Sequence, residues 1–212
     1  MPVLKKLNSP RIRRLWRRLS YTRRLPKQME ERFGEGYDAS PQKILKFGRK
    51  FLREFKSERE ANGNIRIGTN VSGHESPICI SLIYRKEQNK HTIGRIKIGF
   101  TADGVVIEAI QGTRDNRSIR EVNTTLEQPW PNRIIQAIEK NARKQGMKRI
   151  YLKDPATMYW FNNPLTGHEL GSGAHEAAAE HVRRTMKNFY GIIAKRNGFK
   201  RATNGFFIKE LQ

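Results

Sequence analysis

Apolar positions along the chain change their period once, near residue 62. Before it they recur at helical spacing. Ile12, Leu15, Trp16 and Leu19 follow Ser9-Pro10, while Ile44, Leu45, Leu52 and Phe55, with Phe47 or Phe51 beside them, follow Ser40-Pro41. Ser-Pro opens helices well because the Ser oxygen accepts from an orphan N–H and Pro has no N–H to leave unpaired. A short helix is expected over residues 26–33, with Gly34-Glu35-Gly36 as a turn, and the helix after Ser40 is expected to run to about Arg59 before Asn62-Gly63-Asn64 stops it. From there the period is two. Ile65 and Ile67, Ile78 to Leu82, Ile93 to Ile98, and Val105 to Ile110 read as strands separated by Gly, Asn or Asp turns. Thr101-Ala102-Asp103-Gly104 suits a hairpin loop, since Asp-Gly tolerates positive φ.

The stretch from Thr113 to Gln128 is polar and lacks a strong period. Trp130-Pro131 then opens a helix with an Ile134, Ile135, Ile138 and Ala142 face that ends at Gly146, and Ile150-Tyr151-Leu152 follows as a strand. Links this short between strand, helix and strand imply a parallel crossover. Ala174 to Asn197 is one long helix, broken by Gly198-Phe199 before a closing strand from Phe206. The fold class is therefore α/β in the α+β sense: a mixed, mostly antiparallel central sheet flanked by helices. Residues 1–62 read as a basic helical N-terminal extension and residues 63–212 as the α/β domain.

With 212 residues, 36% of them hydrophobic and 29% charged, the chain can bury one main core, and no apolar run approaches the ~20 residues of a membrane span. Lys and Arg number 42 against 20 Asp and Glu, a net charge of +22. No acid precedes Glu30. Arg13, Arg14, Arg17 and Arg18 point to nucleic acid or another polyanion, bound without sequence preference because no recognised module is present. Their helix also suits an anionic membrane surface, or simply a solvated face. No secretory apolar segment follows the charged start; a cytoplasmic address is expected, though an Arg-rich, acid-free start also resembles a transit peptide.

Cys79 lies in a strand pattern and reads as a small core residue. His168, His175 and His181 with their neighbouring glutamates do not make a metal site, because His175 and His181 are six apart and fall on different helix faces. Residues 158–164 are rich in aromatics that plug a sheet end or wall a cleft, and Gly167 to Gly173 reads as a loop over it.

The order of meander, strand, helix near Trp130, strand, long helix with Tyr190, Gly198-Phe199 and closing strand resembles the second half of the GNAT superfamily of N-acetyltransferases. The likeness covers roughly Ile93 to Leu211 and rests mainly on residues 189–199, Phe-Tyr-Gly-Ile-Ile-Ala-Lys-Arg-Asn-Gly-Phe. It implies an acyltransferase moving an acyl group from acetyl-CoA or another acyl-CoA to an amine. Ile110, Gln111, Gly112, Arg114 and Arg117 would border the cofactor, whose pyrophosphate the family holds on helix-terminal N–H groups. The family's Gln/Arg-x-x-Gly-x-Gly/Ala turn is absent after Gln111, so a donor other than CoA, or none, stays open. By the same likeness Tyr190 is the general acid, against an aromatic that merely packs under the sheet. Glu108 is the candidate base, against a strand carboxylate paired with a neighbouring Arg. The alternative function is a non-catalytic nucleic-acid- or ribosome-binding protein on the same scaffold.

Overall fold

The computed structural model describes residues 48, 50–53, 55, 60–61, 63–71, 78–86, 88–101, 103–113, 115–158, 161, 172–202 and 205–212. Arg13, Arg14, Arg17, Arg18, Arg114, the aromatic pair at 159–160 and the 167–171 loop lie outside them.

Among the described residues eight strands form one mixed sheet: β1 (Glu60–Ala61), β2 (Ile65–Val71), β3 (Ile78–Lys86), β4 (Asn89–Phe100), β5 (Gly104–Gly112), β6 (Arg149–Lys153), β7 (Lys200–Arg201) and β8 (Phe206–Glu210). Their spatial order is β1-β2-β3-β4-β5-β6-β8-β7. Only β5 and β6 run parallel; the other neighbours are antiparallel. The helices are α1 (Asn116–Thr125), α2 (Trp130–Lys144) and α3 (Ser172–Arg196), with a 3-10 turn at Pro155–Thr157.

Alternation explains most of the core. Ile65, Ile67, Ile78, Ile80 and Leu82 are fully or almost fully buried, while Cys79 is only half-buried, 3.9 Å from the Ser81 hydroxyl, so it is not the core residue expected of it. In β4 both Ile93 and Ile96 are buried, which strict period two forbids. A bulge supplies the extra residue: Leu82 faces Gly94 and Ile83 faces Thr92, leaving Ile93 unopposed.

Helical residues 50–53 and 55 carry Phe51 and Phe55 into the same core, where Phe51 meets Phe100 edge-on at 5.3 Å and its carbonyl accepts from the Asn141 amide at 3.1 Å. The end of the N-terminal extension is thus packed as part of the α/β body. Helix α2 is pinned to β8 by Glu139, which takes Lys209 at 2.6 Å and Arg143 at 2.7 Å. Burial works against the Glu139 charge, but the two cations outweigh it and hold the carboxyl below its ordinary range.

Helix α1 was not legible as a periodic segment. Asp115 starts it, accepting from the Ser118 N–H at 3.1 Å and the Ser118 hydroxyl at 2.5 Å, and its inward apolar side chains are only Val122, Leu126 and part of Ile119. Gly198, at φ +73°, terminates α3 and turns Phe199 into the core. No described helix is long and apolar enough to cross a membrane.

Candidate functional site

The site begins with a second bulge. Lys97 faces Ala109 and Ile98 faces Ile107, so Glu108 has no opposite residue on β4. Such an insertion bends the strand and re-aims its side chains, which interrupts the strict alternation that would group Glu108 with Val106 and Ile110. On the other edge, β5 pairs with β6 from Gly104–Arg149 to Ile107–Leu152 and no further. Strand β6 ends at Lys153, where Asp154 caps the 3-10 turn through the Ala156 N–H at 2.9 Å. Strand β5 continues to Gly112 with β4 alone. The parallel ladder thus stops beside the bulge and β6 ends one residue later, leaving the edge of residues 108–112 without a strand, a gap called the wedge below.

Tyr190 fills the wedge. The Ile110 N–H donates to its phenol oxygen at 2.8 Å. Thr113 donates to the Ile93 carbonyl of β4 at 2.9 Å, and because successive N–H groups of a strand point to opposite edges, Ile110 points to the edge β6 has left. The phenol is delivered by the inner stripe of α3, Met186, Tyr190 and Ile193, which Asn197 continues just past the helix end, all spaced three or four apart. Asn197 locks the helix by donating to the Asn132 side-chain oxygen at 3.0 Å. Tyr190 is 1% exposed, and burial pushes its pKa up to about 12 against the opposing pull of the Ile110 N–H. Among the described residues its own proton has no acceptor.

The other expected site residues distribute unevenly. Glu108, two residues before Ile110 on β5, has its side chain 12% exposed and an ion pair with Lys153 at 3.9 Å, a lysine where the sequence points to a neighbouring arginine. Ile110 contributes its N–H. Gln111 and Gly112 are exposed at the end of β5, lining a shallow polar hollow with Arg95. Arg117 is exposed on α1 and pairs with Glu121 at 3.4 Å. Lys153 and Arg196 were not anticipated; Lys153's place at the end of a short strand gave no signal.

Next to Tyr190 lies a groove of about 520 Å³ between α1, the start of α2 and α3, walled by Ile119, Trp130, Pro131, Met186, Phe189 and Ile192, with Arg196 its charged member. The residues here do not fit a diphosphate. At the start of α2, the Trp130 N–H is taken by the Asn123 oxygen at 2.8 Å, Pro131 has no N–H, and the Asn132 N–H is spent on the Pro129 carbonyl at 3.0 Å. At the start of α1, hydrogen bonds from the Ser118 hydroxyl and N–H hold the Asp115 carboxyl below its usual range, placing a negative charge where phosphate would bind. Neither helix offers the open anion cradle that acyl-CoA would use.

Comparison with family models, curated proteins and solved structures finds no match to this chain.

Burial also pushes the Tyr151 pKa up to about 12, with the Asp103 carboxylate adding to it and Arg149 opposing. Both phenols stay neutral when folded, whereas an unfolded tyrosine ionises near 10. Their stabilisation is therefore fully present below pH 10 and is lost as pH rises through about 12. The denaturation midpoint should stay level from about pH 8 to 10 and then fall, and Tyr151→Phe should make the fall shallower; an unchanged slope in that variant would remove Tyr151 from the account.

Proposed function

We propose that the wedge between β5 and β6 is an acyl-transfer site that moves an acyl group from an ester or thioester to an amine. The observation that supports it most is the parting of β5 from β6 after Ile107 with a buried, proton-bearing phenol on the freed Ile110 N–H. In this reading the amine nitrogen attacks the acyl carbon, the new C–N bond forms, and the bond to the leaving oxygen or sulfur breaks. That leaving atom takes the Tyr190 proton, and the amine's surplus proton passes to Glu108, directly or through a water. A phenol near 12 is matched to an alkoxide, whose conjugate acid is a much weaker acid than the phenol, better than to a thiolate at about 8.5, which departs without a proton.

The test is release of the leaving group from S-acetyl-N-acetylcysteamine and from ethyl acetate, with hydroxylamine as the amine. Release that rises with amine and saturates with donor is the expected result. Release no faster than in buffer for both donors would dismiss the proposal. The net charge of +22, with exposed Lys90, Arg95, Arg120 and Arg184 making no ion pair among the described residues, favours a second reading in which the scaffold holds a polyanion. Salt-sensitive RNA retention without amine-dependent release would select it.

A further inference from the structure

We propose that the groove beside Tyr190 holds the carrier end of the acyl donor, and that this carrier is a slim apolar chain ending in a single negative charge at Arg196. The proposal rests on the acyl-transfer reading of the wedge. The groove wall is hydrocarbon almost throughout. All three large apolar side chains that the described residues leave exposed lie on α3, and two of them, Phe189 at 37% and Ile192 at 53%, line this groove. Arg196 has no ion pair or hydrogen bond among the described residues, so its charge is available to a ligand. At the inner end the Tyr190 proton is likewise unspent and meets a carbonyl or leaving oxygen.

The spacing sets the length. Arg196 is six residues beyond Tyr190 on one helix, about 9 Å along its axis and about a third of a turn around it, so an extended chain needs at least roughly seven or eight bonds to reach from one to the other. A nucleotide carrier is disfavoured by the same chemistry: the α1 and α2 starts offer a carboxylate, a proline and spent N–H groups, and Arg196 is the one cation among the residues that line the groove. An apolar chain with one anion matches the hydrocarbon wall and the Arg196 charge.

Titration calorimetry with octanoate, butyrate, methyl octanoate and ADP tests this directly. Octanoate should bind, each methylene beyond butyrate adding roughly fourfold in affinity, and ADP should neither bind nor compete. Arg196→Gln should weaken octanoate about three- to fivefold, as for an exposed ion pair, and leave methyl octanoate unchanged. Ile192→Asp, at a position exposed enough to leave the fold intact, should abolish binding of both. Tight ADP binding, or octanoate binding indifferent to Arg196 and Ile192, would overturn the proposal. Turnover separates it from the reading beneath it. If octanoate binds as stated but S-acetyl-8-mercaptooctanoate releases no thiol to hydroxylamine, acyl transfer falls and the groove remains an apolar-anion site. If short thioesters turn over while octanoate neither binds nor inhibits, the groove assignment falls and acyl transfer remains.

Discussion

Tyr190→Phe is expected to slow amine-dependent release of an alkoxide by about 10²- to 10⁴-fold, the usual contribution of a positioned acid, and to slow release of a thiolate far less. The asymmetry follows from the leaving groups: an alkoxide cannot depart at neutral pH without a proton, and a thiolate can. Phe keeps the ring and its packing against Phe189 at 5.7 Å but removes the oxygen that accepts from Ile110. The Ile110 N–H is then buried without a partner, which should cost about 1–3 kcal/mol of stability. Two readouts therefore separate the roles. A purely structural tyrosine would lower the urea midpoint and leave the ratio of ester to thioester turnover untouched; a catalytic one moves the ratio.

Trp130→Ala is expected to cost about 3–5 kcal/mol, as large-to-small changes of buried aromatics do. Trp130 is 4% exposed, and its indole packs against the sheet where Gly94 faces Gly112 across β4 and β5. A Cβ built on Gly94 would stand 2.3 Å from the ring, so Gly94→Ala must displace the indole and should cost about 1–3 kcal/mol by overpacking. In the double variant the added methyl occupies part of the vacated space. Its loss should thus be smaller than the sum of the two single losses, the signature of residues in direct contact. Urea denaturation of the four proteins measures this, and strict additivity would show that the ring and the glycine do not support one another.

The pattern of apolar residues foretold the meander, the crossover and the long helix, because in each of these one face is buried and the period survives. It did not foretell α1, where polar residues fill the exposed faces and the inward positions are few, nor the short β1 and β7 strands, whose residues take their conformation from a neighbour and not from their own propensity. The site was half legible. Tyr190 was picked out by its place before Gly198-Phe199, and the structure supplies the partner its hydroxyl required. Glu108 was picked out as the acid within Val105 to Ile110, but its bulge was invisible: a register shift depends on what the adjacent strand does, and a single strand's sequence does not record it. The closed starts of α1 and α2 were hidden for the same reason, since Asn123 and Pro129 act on Trp130 and Asn132 through hydrogen bonds that only the folded chain brings together.

The bulge at Glu108 has a mechanical consequence. Beside it, the seam between the β1–β5 meander and the β6, β8 and β7 strip consists of the ladder from Gly104–Arg149 to Ile107–Leu152. That strip is also held from above by α2 and α3. Loosening of the helices would let it peel away along this one line while every antiparallel ladder on either side stays intact. An opening along this line would run through the proposed cleft, with the meander behaving as one cooperative unit and the C-terminal strip as another.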